Sequence, residues 1–553
     1  MEVEEVTVLV QTVHERKIFV NQIGYLLDAK KIAVFLHPGP FQIVNVENKE
    51  VVFSGKTDPQ PIEDPCARAV VYHGDFSPLK QKGMYVIQQN KEQSAPFQIS
   101  ANPYENVLKG LLKAFYYLRC GMELTEEFAG PWHHGPCHTR KAIVYDDPEK
   151  SIDCTGGWHD AGDYGRYTVA AAKAVADLLT GFELFPQAFD SMPDLPETDG
   201  TTPNILLECR YELDWLLKMQ DDETGGVYHK VTTLAFPPLA CMPEEDTADL
   251  YLSPISATAT ASFAAVMALA ARIYQTYDRK YARECLDAAK KAFQWLMDHP
   301  EYPGFKNPPE ISTGEYGDAC DRDERYWASA ELYRTTGEEI YHDHFKKLAS
   351  DPSFSKIALG WTDMGGFGTI AYLINNDQEV DETLFTQLQD EWLEEAERIV
   401  KNCKEDGFKI SLRKEDYVWG SNMVVMNHAM LLLLANLLQE NETYVDYALE
   451  HVHYLFGRNI LDVCYVTGFG DRPVMNPHHR PSVADDVEDP VPGFVSGGPD
   501  KNLSDPYARE VLYGQPPARC YIDHKESYAT NEITIYWNSP AAFVLSHFVG
   551  KRS

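Results

Sequence analysis

The pattern of hydrophobic and polar positions changes about one hundred residues into the chain. Before that point, apolar and β-branched runs of four to six residues alternate with turn residues, as at 32–36 and 83–87. Short runs separated by Gly, Pro and Asn predict a small β-sandwich, with 97–99 as its last strand. Asn102-Pro103 would end it, because proline interrupts a strand and suits the first turn of a helix.

From about residue 104 the apolar positions recur at intervals of three and four, which predicts helices. Long loops rich in Pro, Gly and Asp separate them, notably 222–255 and 466–527. We therefore expect a β-sandwich domain at 1–102 and a mainly α-helical domain at 103–553, with function carried by the loops. Periodicity alone leaves open whether the helices close into a ring. After a first helix near 107–117, the helical stretches lie near 166–185, 205–219, 256–277, 280–297, 325–335, 383–402, 423–438, 442–455 and 528–548.

Composition limits the classes of partner. The formal net charge is −35, from 49 basic and 84 acidic residues. Such a surface repels phosphate backbones and anionic lipid, so we expect neither a nucleic-acid nor a membrane partner, although solubility alone would also account for the charge. No run approaches the roughly 18 uninterrupted apolar residues that span a bilayer. Eleven scattered cysteines, an odd number, indicate free thiols in a reducing compartment, with room for one metal site.

Candidate chemistry is concentrated in two acidic motifs at opposite ends of the helical region. Asp160 and Asp163 lie within 156–164, and Glu532 lies within 529–538, each motif containing a tryptophan. Hydrolysis of a glycosidic bond needs one carboxylic acid to protonate the departing oxygen and a second carboxylate to activate water or attack the sugar. A neighbouring indole can cover the apolar face of a sugar ring. These residues therefore favour a glycosidase.

The residues flanking these carboxylates resemble glycoside hydrolase family 9. Residues 156–164 are similar to its Asp-Ala-Gly-Asp motif, and 531–538 are similar to its acid motif. Residues 465–470, followed by 477–482, resemble its histidine motif. The resemblance covers about 103–553 and implies an (α/α)6 barrel with its cleft formed by loops at one end. The N-terminal region is similar to the immunoglobulin-like module of the same family.

The resemblance implies that Asp163 is the general base and that Asp160 helps to orient the water. Both would lie just before a helix starting near Arg166, where an ordinary N-cap is the alternative role. Glu532 would be the general acid at the start of the last long helix, with a stabilising first-turn glutamate as the alternative. Because the helix dipole would lower its pKa there, apolar and aromatic neighbours must raise it.

Candidate substrate-binding residues follow from the histidine motif and from the aromatic residues. The resemblance implies that one or two of His478, His479 and Arg480 contact sugar hydroxyls near the cleavage point, which suits their donors and acceptors. Among the aromatic residues, core packing is the usual alternative to stacking on a sugar. The candidates are Trp132, Trp158, Trp361, Trp419, Trp537 and Tyr528, of which Trp361, Trp419 and Tyr528 are expected to bind substrate.

Two metal sites are expected. Cys120, Cys137 and His138 suit zinc, which takes four thiolate or imidazole ligands, and the resemblance implies a structural zinc here. The nearest candidate for the fourth ligand is Cys154, with His159 and His133 as alternatives. The resemblance also suggests a structural calcium joining the loop 484–490 to 321–324, with Asp323, Asp485 and Asp489 as ligands. Acidic loops that are merely solvated are the alternative.

The function that we expect is inverting hydrolysis of β-1,4-glucosidic bonds in cellulose, cellodextrins or mixed-linkage glucan, by an endoglucanase acting as a monomer. An exo-acting β-glucosidase or exo-β-glucosaminidase is the alternative enzyme, and a non-catalytic carbohydrate-binding protein or a polysaccharide lyase is a weaker one. The first residues, 1–5, lack the basic and apolar regions of a signal peptide. If Met1 is the natural start, the enzyme would be cytoplasmic and act on imported oligosaccharides; if the sequence was trimmed, it would be secreted.

Overall fold

The computed structural model describes residues 16–549, and the first part of them forms two packed β-sheets. One sheet has the strand order β1-β3-β7-β6, and the other has the order β2-β10-β8-β4-β5, with β9 added beside β8. Strand β4 shows why they pack: Phe41 and Ile43 are buried while Gln42 between them is exposed. The strands are β1 (Ile18–Phe19), β2 (Gly24–Leu26), β3 (Ile32–Phe35), β4 (Pro40–Asn45), β5 (Val51–Lys56), β6 (Ile62–Asp64), β7 (Ala69–Asp75), β8 (Gly83–Gln89), β9 (Glu92–Gln93) and β10 (Phe97–Ser100).

The remaining residues are mainly helical. Four of the helices in the described chain are short and lie in loops: α2, α13, α14 and α15. The helices are α1 (Glu105–Tyr117), α2 (Glu126–Ala129), α3 (Thr168–Leu184), α4 (Asn204–Lys218), α5 (Ala257–Tyr274), α6 (Arg279–Asp298), α7 (Arg322–Thr336), α8 (Glu339–Ala349), α9 (Gly365–Leu373), α10 (Glu382–Glu405), α11 (Ser421–Leu438), α12 (Glu442–Leu455), α13 (Arg480–Ala484), α14 (Pro506–Val511), α15 (Tyr528–Asn531) and α16 (Ile535–Val549).

The long helices form an inner and an outer ring. The inner helices are α3, α5, α7, α9, α11 and α16; α16 packs on α3 and α11, α3 on α5, α5 on α7, and α7 on α9. Helix α10 contacts both α9 and α11. Residues of α16 are buried on every side, as expected for a helix inside a second layer. Outer helices are amphipathic: α6 buries Tyr281, Cys285 and Ala289 at four-residue spacing and exposes Glu284. The predicted (α/α)6 barrel is confirmed.

Small β-sheets, which the sequence pattern did not indicate, lie in the loops between barrel helices. One joins strands in the order β12-β11-β16-β15-β13, and the other pairs β14 with β17. Each strand is too short to give a period-two pattern of its own. These strands are β11 (Ala142–Val144), β12 (Asp147–Ile152), β13 (Arg166–Tyr167), β14 (Val227–Tyr228), β15 (Lys230–Thr232), β16 (Tyr251–Leu252) and β17 (Ile255–Ser256).

Two inner helices, α5 and α11, are long and apolar enough to resemble membrane-crossing segments. Their mean hydropathies are 1.3 and 1.4, but 94% of α5 and 67% of α11 is buried inside the protein. Burial by neighbouring helices is what a core helix of this composition achieves. Their apolar character is thus explained by their place in the inner ring.

The β-sandwich packs directly against the barrel. The side-chain amide of Asn21 lies 2.9 Å from Nδ1 of His453, and Nε2 of His73 lies 2.8 Å from the carbonyl oxygen of Gly407. The carboxylate of Asp64 faces the turn formed by Asp406 and Gly407, where it contacts the backbone of Gly407. Polar contacts from β6, from β7 and from the loop of Asn21 therefore fix the sandwich on the outer face of the barrel.

Candidate active site

The three sequence motifs meet because short backbone hydrogen bonds join them. The amide of Ile535 donates to the carbonyl of Asp160 at 2.9 Å. The amide of His478 donates to the carbonyl of Asn531 at 2.8 Å, and that of Arg480 donates to Gly162 at 3.2 Å. These bonds connect the loop before α3, the loop before α13 and the segment before α16. Residues far apart in sequence are thereby held side by side.

A cavity of about 790 Å³ lies where the motifs meet. Several of its lining residues come within a few residues of the start of an inner helix: Asp163 before α3, Trp361 before α9, Trp419 before α11 and Glu532 before α16. The cavity therefore lies at the end of the barrel where the inner helices begin. Most of its lining side chains are carboxyl, aromatic or hydroxyl groups. The lining residues are Asp160, Ala161, Asp163, Tyr167, Phe236, Ser312, Thr313, Gly314, Glu315, Tyr316, Trp361, Trp419, His478, Arg480, Tyr528, Glu532, Thr534, Tyr536 and Trp537.

Asp160 is buried and held by a tyrosine. The hydroxyl of Tyr316 donates to Oδ2 of Asp160 at 2.6 Å and lies 3.1 Å from the hydroxyl of Tyr536. Burial, together with the negative charge of Asp163, raises the pKa of Asp160 well above its usual value. The N-cap of α3 is Tyr167, which makes no side-chain capping bond, so Asp160 does not cap that helix.

Asp163 accepts two hydrogen bonds on one oxygen. Its Oδ2 accepts from the amide of Gly165 at 2.9 Å and from the hydroxyl of Tyr167 at 3.2 Å. Burial raises the pKa of Asp163, while the charge of Arg480 and the two hydrogen bonds lower it. Asp163 does not cap α3 either, since β13 lies between it and the helix. It is thus a buried carboxyl whose ionised form receives specific support.

Glu532 differs from the predicted position at the start of a long helix. It follows the short helix α15 in an extended conformation (φ −69°, ψ 164°), and α16 begins only at Ile535. The dipole of α16 therefore does not act on it as on a first-turn residue. Burial, followed by the charges of Asp163 and Asp160, raises the pKa of Glu532 well above its usual value. A carboxyl in this setting retains its proton, as a general acid must.

The histidine motif divides between the cavity wall and the core. His478 lines the cavity, and its Nδ1 lies 2.6 Å from the carbonyl of Lys525. His479 was expected to bind substrate, and this is wrong: the side chain is buried, lies 2.9 Å from the hydroxyl of Ser482 and packs against Phe494. Consecutive residues in an extended segment point to opposite sides, so only one of the two imidazoles can face the cavity.

Arg480 lines the cavity but is anchored to backbone carbonyls. Its Nη1 donates to Gly162 at 2.7 Å, and its Nε and Nη2 donate to Pro237 at 3.1 and 3.0 Å. Its positive charge acts on both Asp163 and Glu532. The side chain therefore fixes the loop of Gly162 and supplies positive charge beside the carboxyls.

The aromatic candidates also divide. Trp361, Trp419, Tyr528 and Trp537 line the cavity; Trp419 is 44% exposed, and its ring centre lies 5.3 Å from that of Tyr528. An exposed indole beside a second ring suits the apolar face of a sugar. Two others lie elsewhere: Trp158 is fully buried and donates to Glu208, while the indole of Trp132 donates to the carbonyl of Asp489 outside the cavity lining.

Several lining residues were not predicted from the sequence. Tyr316 and Tyr167 hydrogen-bond to the two aspartates, and Phe236 lies against the guanidinium of Arg480. Tyr316 belongs to a long loop without periodicity, where its neighbour Gly317 is the only local signal. Tyr167, four residues after Asp163, could have been found from its spacing to that carboxylate.

Four buried side chains form a group that could hold a metal ion. The ligand atoms of Cys120, Cys137, His138 and His159 all lie within 4.8 Å of one another. The predicted Cys154 is not in this group. His159 occupies the fourth position instead, with its Nε2 3.7 Å from the sulfur of Cys137. His133, the other alternative, is also outside it.

The chemistry of this group fits zinc. Nε2 of His138 lies 3.3 Å from Asp246, and its Nδ1 is buried without a hydrogen-bond partner. A histidine that ligates zinc through one nitrogen commonly donates its other N–H to a carboxylate. Two thiolates and two imidazoles complete the tetrahedral set that structural zinc prefers. Among the described residues 16–549, this is the group with metal-ligand spacing.

The expected calcium ligands are not brought together, and this prediction is corrected. Among residues 16–549, the groups that act on Asp323 include Glu324 and Asp363 but neither Asp485 nor Asp489, and the charge that acts on Asp485 is that of its neighbour Asp486. Asp485 accepts from the amide of Val487 through Oδ1, while its Oδ2 is buried without a hydrogen-bond partner among the described residues, and Asp489 is exposed. The acidic run at 484–490 resembles a calcium-binding loop in sequence, whereas Asp363, which does act on Asp323, is a single carboxylate forty residues further along the chain.

Asp323 lies among other carboxylates near the start of α7. Burial, with a smaller contribution from the negative charge of Asp363, raises the pKa of Asp323 to about 6. Burial, followed by the charges of Asp323 and Asp318, raises the pKa of Glu324 well above its usual value. Both carboxylate oxygens of Glu324, Oδ2 of Asp318 and Oδ1 of Asp363 are buried and meet no N–H or O–H donor among the described residues. Unsatisfied buried carboxylates of this kind call for a positive charge.

Comparison with known proteins agrees with this geometry. Residues 104–545 match the profile of glycosyl hydrolase family 9, and 13–94 match the cellulase N-terminal ig-like domain. A cellodextrinase of Butyrivibrio fibrisolvens is 40% identical over 96% of this chain and 99% of its own length. A single-mutant thermostable endoglucanase from Alicyclobacillus acidocaldarius is 43% identical, with a TM-score of 0.91 over 97% of this chain and 99% of its own.

A third relative is also a solved family 9 structure. The solved structure of a Zn-binding triple mutant of a family 9 endoglucanase is 33% identical, with a TM-score of 0.89 over 95% of this chain and 99% of its own. The profile match covers most of the chain, and its ends agree with the first and last helices of the barrel. The chain belongs to glycosyl hydrolase family 9 and is a glycoside hydrolase of that family.

Proposed function

We propose that this enzyme hydrolyses β-1,4-linked glucan, with cellodextrins and accessible cellulose chains as substrates, and that it inverts the anomeric configuration. The observation that carries the proposal is that Asp160, Asp163 and Glu532 line one cavity together with the rings of Trp419 and Tyr528. The related cellodextrinase and endoglucanase agree with this class of substrate. Binding alone would not require a protonated carboxyl opposite ionisable ones.

Each carboxyl has a distinct role in the proposed reaction. Glu532 is the general acid: its proton passes to the glycosidic oxygen as the bond from that oxygen to the anomeric carbon breaks. Asp163 is the general base: it takes a proton from water while the water oxygen bonds to the anomeric carbon from the opposite face. Asp160, oriented by Tyr316, helps to position that water. One proton enters at the leaving oxygen and one is taken from water, so the reaction is balanced.

The alternatives receive less support from the cavity. An amino-sugar substrate would call for a free carboxylate to bind its ammonium group. The remaining carboxylate on the wall, Glu315, already accepts from the amide of Asn307 at 3.0 Å. A lyase acting on an acidic polysaccharide would need more cationic side chains than Arg480 and His478 supply on this wall. We therefore retain neutral β-glucan as the substrate class.

Glu532→Gln tests this function. Loss of the proton donor should lower the rate on cellohexaose by about 10²–10⁴-fold while circular dichroism and the melting temperature stay unchanged. An aryl cellobioside should lose less, because its leaving group needs less protonation. Glu510→Gln, at an exposed position of α14, is the matched control and should keep the wild-type rate. Normal cleavage of cellohexaose by Glu532→Gln would contradict the assignment.

We also propose that Cys120, Cys137, His138 and His159 hold a structural zinc ion. A closed four-ligand site contributes to folding rather than to chemistry. The position supports this, because His159 directly precedes Asp160 and the zinc would fix the start of that loop. The carboxylates of Asp318, Asp323, Glu324 and Asp363 suit calcium, which prefers clustered oxygen ligands. Calcium titration should raise the melting temperature of wild type but not of Glu324→Gln.

A further inference from the structure

Lys230 is a buried lysine beside the cavity that forms no ion pair within 4.0 Å among residues 16–549. Its ammonium donates to Oδ1 of Asn307 at 2.7 Å, to the hydroxyl of Thr313 at 3.3 Å and to the carbonyl of Gly314 at 2.5 Å. All three acceptors belong to the loop between α6 and α7. A buried ammonium satisfied only by neutral oxygens is costly, so its retention calls for an explanation.

The loop that Lys230 holds carries a residue of the active site. Thr313 and Gly314 line the cavity, and Tyr316, two residues further on, donates to Asp160. This loop contains no helix or strand that could fix Tyr316 by itself. The ammonium of Lys230 therefore supplies a point of attachment close to the tyrosine.

Lys230 is also connected to the other aspartate. In the small sheet, β13 pairs with β15 so that Tyr167 stands directly opposite Lys230. The hydroxyl of Tyr167 donates to Asp163, and the ammonium of Lys230 lies 5.4 Å from the centre of the Tyr167 ring. The rings of Tyr167 and Tyr316 are themselves 4.7 Å apart. Lys230 therefore contacts Tyr167, which donates to Asp163, and it also contacts the loop that carries Tyr316, which donates to Asp160.

The positive charge of Lys230 also acts on the carboxylates of the cavity. The ionisable groups that face it are Asp163, Glu315, the phenol of Tyr167 and the neighbouring His229. Attraction to Asp163 and Glu315 favours the charged ammonium, while burial outweighs this and lowers the pKa of Lys230 to about 7. By reciprocity, a charged Lys230 favours the ionised form of Asp163, which is the form that a general base requires.

We propose that Lys230 is a positioning residue for catalysis: it fixes the two tyrosines that hold Asp160 and Asp163, and its positive charge supports the ionised base. The inference rests on the proposed function of Asp163. It adds a residue outside the cavity lining whose removal alters the behaviour of the base without removing any group that contacts substrate.

The test compares Lys230→Met with a matched lysine elsewhere. Lys31 in the β-sandwich is equally buried, and its ammonium donates to the carbonyls of Leu26, Leu27 and Ala29, so Lys31→Met removes a similar buried cation far from the cavity. Both variants should lose thermal stability. Only Lys230→Met should lower kcat on cellohexaose, by roughly tenfold or more, with KM changed less than about threefold, since positioning acts on the chemical step.

The pH dependence gives a second measurement that a merely structural role would not move. Without the positive charge, the pKa of Asp163 rises, so the acid limb of kcat/KM should move to higher pH in Lys230→Met. Lys230→Arg, which keeps the charge, should restore the position of that limb even if kcat stays low. A Lys230→Met profile that superimposes on wild type, with kcat equal to that of Lys31→Met, overturns the proposal.

A double-mutant cycle that combines Lys230→Met with Tyr316→Phe provides a further test. If Lys230→Met folds poorly, the milder Lys230→Gln replaces it in the cycle. If Lys230 acts through Tyr316, the double variant should lose little more kcat than the worse single variant, whereas full multiplicative loss would contradict the proposal. Hydrolysis of cellohexaose by the wild-type enzyme is the reference throughout. If the wild-type enzyme does not hydrolyse cellohexaose, the proposed function is refuted. The inference about Lys230 is tested only by comparing variants of an active enzyme.

Discussion

The carbonyl oxygen of His478 lies 2.0 Å from the position that a β-carbon would occupy on Gly162. Real β-carbons do not approach an oxygen so closely, so any other residue at Gly162 would push the two loops apart. The same glycine accepts two hydrogen bonds from Arg480 through its carbonyl. Gly162 therefore sets the distance between the aspartate loop and the histidine loop.

Gly162→Ala should accordingly inactivate the enzyme while leaving most of the fold intact. We expect a loss of roughly tenfold or more in kcat/KM on cellohexaose, because Asp163 and Arg480 would be displaced relative to Glu532. Gly181→Ala, inside α3 with its nearest neighbours at ordinary contact distance, is the control and should keep wild-type activity. Equal rates for the two variants would show that the close approach has no functional consequence.

The role of Asp163 as base gives a prediction about rescue. Asp163→Ala removes the group that takes the proton from water, so its rate on cellohexaose should fall by about 10²–10⁴-fold. External azide, which needs no deprotonation, should partly restore turnover. Asp160→Ala should be milder, because Asp163 can still take the proton.

Product configuration tests the same assignment independently. Inversion requires that α-anomers appear first from a β-linked substrate, as followed by NMR during the first turnovers. If β-anomers appear first, Asp163 would instead be a nucleophile that forms a covalent intermediate, and the base assignment would be wrong. The untouched wild-type enzyme suffices for this measurement.

Much of the site could be predicted because its carboxylates occur in long motifs with informative flanks. Asp160, Asp163 and Glu532 all line one cavity, as expected from 156–164 and 529–538. The assignment of His479 failed for a local reason: which of two adjacent imidazoles faces the cavity depends on the backbone direction of the segment, which the sequence does not specify. Neither did the helical period predict that 528–548 is interrupted at Glu532, since the apolar spacing continues across the break.

Tertiary contacts without any local signal account for the remaining differences. The acidic segment 321–324 indicated Asp323 and Glu324, but their neighbour Asp363 comes from a separate loop before α9, which the sequence does not connect to that segment. His159 replaced Cys154 because ligand choice depends on which side chain turns toward Cys137, not on residue type alone. From sequence alone, Lys230 is indistinguishable from an ordinary strand residue. Only the structure shows that it donates to three oxygens of the loop between α6 and α7.

The zinc group gives a prediction that separates the two candidate fourth ligands. His159→Ala should lose zinc and lower the melting temperature, because a closed site contributes folding free energy. Cys154→Ala should retain about one zinc per chain, since Cys154 lies outside the group. Elemental analysis and thermal unfolding of both variants provide the measurement. Retention of zinc by His159→Ala together with its loss from Cys154→Ala would reverse the assignment.

The contact between the β-sandwich and the barrel predicts a pH-dependent stability. Asp406 accepts from the amides of Phe408 and Ile410, and the nearby carboxylate of Asp64 is held by the amide of Ala67. Burial and then the charge of Asp64 raise the pKa of Asp406 to about 8. The charged or ionisable groups that also face this pair include Arg413, Cys66, Cys403, Tyr417 and Tyr454.

The sign of the effect follows from proton binding. An unfolded aspartate releases its proton near pH 4, whereas folded Asp406 keeps it until about pH 8, so the folded state binds more protons between these values. Stability should therefore fall as the pH rises from about 4 to about 8. The asparagine of Asp406→Asn cannot ionise, and its amide can donate to Asp64. The melting temperature of this variant should therefore decline less over that window, and at pH 8 it should exceed that of the wild-type protein by a few degrees. Asp58→Asn, exposed on the same sandwich, should follow the wild-type curve. Parallel curves for wild type and Asp406→Asn between pH 5 and pH 8 would show that Asp406 does not titrate in that range.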